Sequence, residues 1–120
     1  MEEDIRPPGT TTIAPDVLLT IAYLTALSIQ GVSHMSNKHG RVNRLIRRGH
    51  QNNGVYIEVQ DDTVNADLYL VLNKDVNIRD VSHNVQNDVA RAISEMVGMT
   101  VGQVNVHIED IDYGLENQSE

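Results

Sequence analysis

Glu58, Asp67, His107 and Glu109 are the side chains of this 120-residue chain best placed to do chemistry together. Each occupies a polar position in a stretch where apolar and polar residues alternate. Three carboxylates and an imidazole on one face would suit a divalent metal, or a general acid beside a general base. A hydrated sheet face accounts for the same residues with fewer assumptions and is the preferred reading. Tyr56, Tyr69 and Val71 share that face, and with His107 they form a candidate surface for a partner or a second copy. The histidines His34, His39, His50, His83 and His107 show no HxH, HExxH or HxxxH spacing. His83 falls between the apolar stripe residues of a helix and reads as solvated. Serine and threonine stand in no GxSxG or SxxK motif, and no GxxxxGKS/T or GxGxxG loop marks a nucleotide site. No catalytic residue, metal, cofactor or small-molecule substrate is expected.

Composition narrows the classes further. Without cysteine, disulfides, thiolate zinc sites, iron–sulfur clusters and cysteine nucleophiles are excluded. Phe and Trp are absent and Tyr23, Tyr56, Tyr69 and Tyr113 are the only aromatics, so base-stacking platforms are few and nucleic acid is not the expected partner. The net charge is −8, yet Lys38, Arg41, Arg44, Arg47 and Arg48 hold more than half of the nine Lys and Arg residues. No acid lies between Asp16 and Glu58. The segment 38–50 has two functional readings, RNA phosphate and anionic lipid headgroups. The plainer one is a solvated loop that offsets an acidic body. No apolar run approaches the ~20 residues that span a bilayer. The start, Met1-Glu2-Glu3-Asp4, lacks the basic and apolar regions of a signal peptide, so a cytoplasmic location is expected.

The elements that must position these residues follow from periodicity. Val55, Ile57 and Val59 alternate with Tyr56, Glu58 and Gln60. Val64, Ala66, Leu68, Leu70 and Leu72 repeat the pattern, as do Val104, Val106 and Ile108. Side chains alternate faces along a strand, so 55–60, 64–72 and 103–109 are strands with one wet face. Asp61-Asp62-Thr63 joins the first two as a hairpin. Thr10–Ile13 reads as a short edge strand and 32–36 as another. A first helix opens with Pro15 and Asp16, carries a stripe of Val17, Leu18, Ile21, Leu24 and Ser28 broadened by Ala22, Thr25, Ala26 and Ile29, and ends at Gly31. A second runs from Ile78 to Val97, capped by Asn77 and closed by Gly98, with Ile78, Val81, Val85, Val89, Ala92, Ile93 and Met96 as its apolar stripe. The stretch 37–53 reads mostly as loop. Leu68, Leu70, Val85, Val89, Val104 and Val106 are expected to be nearly inaccessible. The fold class is α+β: a two-layer domain, mainly antiparallel sheet of three to five strands, with two helices packed on one face. Residues 1–8 read as a flexible acidic tail, 9–113 as one domain containing the basic loop 37–53, and 114–120 as an acidic C-terminal tail.

An ordered series of short motifs adds a family. Ile13-Ala14-Pro15-Asp16-Val17 opens the first helix and Gly31-Val32 follows it. Gly54-Val55, Asp67-Leu68-Tyr69-Leu70-Val71, Val76-Asn77-Ile78, Val85-Gln86-Asn87-Asp88-Val89, Met96-Val97-Gly98-Met99 and Val104-Asn105-Val106-His107 come after in order. The chain resembles the alkaline shock protein family of bacterial envelope-stress proteins over roughly residues 10–110. The resemblance implies a cytoplasmic, non-enzymatic protein of cell-envelope homeostasis. It would lie against the inner face of the membrane through a membrane-anchored partner and self-associate, as an interaction or scaffold protein. The alternative is a binding module for RNA or anionic lipid through 38–50. The family defines no catalytic residues to carry over. Where relatives have a Gly-rich stretch and a Leu-Gly-Arg-Lys-like turn, this chain has Ser36-Asn37-Lys38-His39-Gly40 and Arg47-Arg48-Gly49-His50.

Overall fold

The computed structural model describes residues 8–37 and 49–114. Its elements are α1 (Pro15–Leu27), β1 (Val32–Met35), β2 (His50–Asn52), β3 (Val55–Gln60), β4 (Thr63–Asn73), α2 (Ile78–Val97) and β5 (Thr100–Asp112). Two hairpins build the middle of the sheet. Asn53-Gly54 links β2 to β3 and Asp61-Asp62 links β3 to β4, and all four residues have positive φ. Positive φ at both central residues matches the natural twist of paired strands, which is why Asn, Asp and Gly stand there. The Asn-Gly pair was a hairpin signal in the sequence, and it makes His50–Asn52 a strand where loop was expected.

β4 is the spine of the sheet. Along one edge it pairs antiparallel first with β3 and then with β1, so those two strands lie end to end. Along the other it pairs with β5 in parallel, through eleven register positions from Thr63↔Thr100 to Asn73↔Asp112. Parallel neighbours need a crossover, and α2 supplies it. The architecture is therefore the expected α+β arrangement, antiparallel in every pairing but this one. Residues 10–13 form no strand.

The core lies between the helices and one sheet face. Val64, Ala66, Leu68, Leu70 and Leu72 are fully buried on β4, as are Val85, Val89 and Ile93 on α2. At ~1.5–3 kcal/mol per buried aliphatic side chain, this layer dominates stability. α2 matches its expected bounds: Asn77 Oδ1 accepts from the Asp80 amide, and Gly98 takes the left-handed closing conformation. Its ends differ, since Ile78 and Met96 are exposed. α1 departs more. Leu18, Ala22 and Ala26 are buried as the stripe predicts, but Leu19 joins them unannounced and Val17 and Leu24 face outward. A helix whose only charge is Asp16 offers little polar contrast to fix its orientation. It also ends at Leu27, four residues before Gly31. Val104 and Val106 are half-buried rather than inaccessible, because among the described residues β5 is the last strand of its side and α2 covers it incompletely.

Candidate interaction surface

The sheet face opposite the helices gathers most of the candidate residues. Tyr56 stands opposite Asp67 across β3 and β4, and Tyr69 stands opposite His107 across β4 and β5. His107 Nε2 lies 3.0 Å from Asp67 Oδ1, a diagonal contact that the parallel register creates. A carboxylate only accepts, so Nε2 carries the proton and donates. The ring also stacks on Tyr69, with centroids 4.6 Å apart and planes 14° from parallel. The imidazole is thus fixed by a hydrogen bond at one edge and an aromatic face beneath it. Its side chain remains 43% exposed against 20% for Asp67, so this is the part of the face open to a partner.

Tyr56 and Val71 lie on the same face but are only 5% and 6% exposed. Gly49 explains part of this. Its amide donates to Tyr56 Oη at 2.9 Å, and a Cβ there would stand 2.7 Å from the tyrosine ring and still closer to the Ile57 carbonyl. Only glycine permits that approach. Tyr56 Oη in turn donates to Glu58 Oε1 at 3.4 Å. The register passes from Leu70↔Ile108 to Val71↔Asp110, leaving Glu109 as the extra residue of a β-bulge. The four residues first considered for chemistry therefore divide: Asp67 and His107 touch, Glu58 joins Tyr56, and Glu109 stands in the bulge. Among the described residues no group of three metal-binding side chains forms.

A second cluster, unmarked by any motif, ties β1 to the end of β5. Ser33 Oγ donates to Asp112 Oδ2 at 2.6 Å and contacts His34 Nδ1 at 3.0 Å, while the Gly114 amide donates to Asp112 Oδ1 at 2.9 Å. The Ser33 hydroxyl, then the Gly114 amide, and the nearby His34 hold the Asp112 carboxyl below its ordinary range, against a smaller opposing effect of burial. No periodicity could pair residues 33 and 112, because the contact depends on β1 and β5 flanking the same end of β4.

Lys38, Arg41, Arg44, Arg47 and Arg48 lie outside the described residues. A shallow pocket of about 200 Å³ between the start of α1 and β2 is lined by Ile13, Leu18, His50, Val59 and Met99. It falls short of the ~300 Å³ at which ordinary ligand pockets begin. No helix among the described residues is long and apolar enough to cross a membrane.

Comparison with known proteins converges on one family. The alkaline shock protein family model, described by a cell envelope-related function, matches residues 4–113. The uncharacterised protein YqhY of Bacillus subtilis is 30% identical over 120 residues, covering 98% of this chain and 88% of the relative. The uncharacterised protein Spy1535 of Streptococcus pyogenes is 31% identical over 104 residues, covering 86% and 79%. Among solved structures, a MamM CTD variant in its zinc form superposes with a TM-score of 0.50 at 11% identity, covering 82% of this chain and 88% of that one. At that identity the likeness concerns the fold alone.

Proposed function

Because the chain belongs to the alkaline shock protein 23 family, we propose that it is a non-catalytic interaction protein of the bacterial cell envelope. It works at the inner face of the membrane, through a membrane-anchored protein partner and through copies of itself. The observation that carries this reading is the extent of the family match. Residues 4–113 include every helix and strand among the described residues, so the reading rests on the whole described fold and not on one motif. One domain spanning 9–113 presents the working surfaces, with an acidic tail at each end.

The outer sheet face suits the partner. Tyr69 and His107 are held in place before any contact forms, so little side-chain entropy is lost on binding. Large, rigid aromatic groups of this kind carry much of the energy of protein interfaces. Neither α1 nor α2 can cross a bilayer, and the partner supplies the membrane attachment. The test is purification of the tagged chain from detergent-solubilised membranes of the host after crosslinking in cells. A membrane-anchored protein recovered in near-stoichiometric amount is the expected result. A chain confined to the soluble fraction, crosslinked to no membrane protein, contradicts the reading.

A further inference from the structure

β5 carries 13 residues, and among the described residues no strand pairs with its outer edge. Three hydrogen bonds show which of its backbone groups point there. The Thr100 amide donates to the Asp62 carbonyl and the Asp112 carbonyl accepts from the Lys74 amide, so both residues turn toward β4. Gln86 on α2 donates to the Val104 carbonyl at 3.1 Å, so Val104 turns away. Successive strand residues direct their N–H and C=O groups to opposite edges. Carried through the register and its two bulges, this sends Val101, Val104, Val106, Ile108 and Ile111 to the open edge.

That set is symmetric about Val106. Val104 and Ile108 lie two residues to either side, and Val101 and Ile111 lie five. The bulges cause the wider outer spacing and are themselves symmetric. One, at Gly102-Gln103, is held by the Gln103 amide donating to Asn65 Oδ1; the other, at Glu109-Asp110, by the Ile111 amide donating to Asp110 Oδ1. A regular strand can match 104–108 but falls out of step at each bulge. A second β5, antiparallel and centred on Val106, stays in step, with each bulge facing the other copy's bulge. Charge agrees: Glu109, Asp110 and Asp112 all follow Ile108, and no acid precedes it within β5. The antiparallel register sets them against uncharged Gln103, Gly102 and Thr100 of the second copy.

We propose that two copies of this chain join through β5, antiparallel about a two-fold axis at Val106, and continue the sheet across the pair. This rests on the self-association within the proposed function and names its surface. Val106 bonds to Val106 of the second copy, and Val104 pairs with its Ile108. Gln86 guards the edge in the single copy and releases the Val104 carbonyl when the strands pair.

The experiment is sedimentation velocity over a concentration series for the wild type and Val106→Pro. The Val106 N–H faces the open edge, so proline removes no bond to β4, and proline is tolerated at such edge positions. Circular dichroism checks the fold. The expected result is a wild-type dimer and at least about a tenfold rise in dissociation constant, since two edge hydrogen bonds are lost per pair. A second variant fixes the register independently. Asn105→Cys with His107→Cys places thiols opposite one another at a Cα separation near 4.5 Å, within disulfide reach, in a chain that has no other cysteine. Oxidation should give a covalent dimer, and if Val106→Pro unfolds, this variant decides alone. Association undiminished by Val106→Pro, with no covalent dimer, overturns the β5 pairing and leaves self-association standing. A wild type that stays monomeric at its highest soluble concentration defeats both.

Discussion

At the scale of single residues, Asp112 gives the sharpest pH prediction. Its folded carboxyl is depressed below the ordinary range, first by the Ser33 hydroxyl and next by the Gly114 amide. A depressed folded value means that its contribution to stability is fully present above the unfolded carboxylate range. The contribution fades as pH falls through the lower folded value. Ser33→Ala should therefore move the Asp112 side-chain titration upward in carbon-detected NMR. A midpoint unchanged by that substitution would remove the hydroxyl as the main cause. Gly49→Ala should cost ~1–3 kcal/mol in denaturant melts, because its methyl group meets the Tyr56 ring and the Ile57 carbonyl. A neutral result would mean that Gly49 does not pack on Tyr56. Alternation alone placed Asp67, Tyr69 and His107 on one face. Their contact was not legible, since it requires the parallel register of β4 and β5. The bulge at Glu109 was not legible either, since no residue type announces one inserted residue.

At the scale of elements, legibility followed polar contrast. α2 sets a clean apolar stripe against charged and amide residues, and its bounds, cap and closing glycine agree with the sequence reading. α1 is apolar almost all round, so the same periodicity could not choose its buried face. β4 was legible because it is covered on its inner face along its whole length. On β5, Val104 and Val106 were over-read as nearly inaccessible, because alternation reports facing and says nothing about whether a strand is central or at an edge. The difference is measurable. Leu70 is fully buried, and Leu70→Ala should cost ~2–5 kcal/mol through lost burial and a residual cavity. Val104 is half-buried, and Val104→Ala should cost no more than ~1.5 kcal/mol in a dilute, unassociated sample. Equal losses would place β5 in the interior. Asn77→Ala should cost about 1 kcal/mol, as removal of a single N-cap bond does.

At the scale of the whole molecule, the fold, the family and the surfaces point the same way. A layer of helices seals one side of the sheet, and the other side presents an oriented aromatic–imidazole pair beside a strand edge that no other described strand pairs with. The family and its cell envelope-related function were legible from an ordered series of weak motifs, which the match over residues 4–113 bears out. The identity of the proposed partner was not legible, because binding energy resides in surface shape and in groups brought together only by folding. The most direct measurement is the amount of membrane-anchored protein crosslinked to this chain in cells, compared between the wild type and Tyr69→Ala with His107→Ala. Both substitutions lie outside the buried core, so the variant should fold. The account predicts robust crosslinking by the wild type and a loss of about tenfold or more in the variant, as removal of central aromatic contacts produces. Equal, near-background crosslinking by both would contradict the claim that this chain acts at the envelope through a membrane-anchored partner.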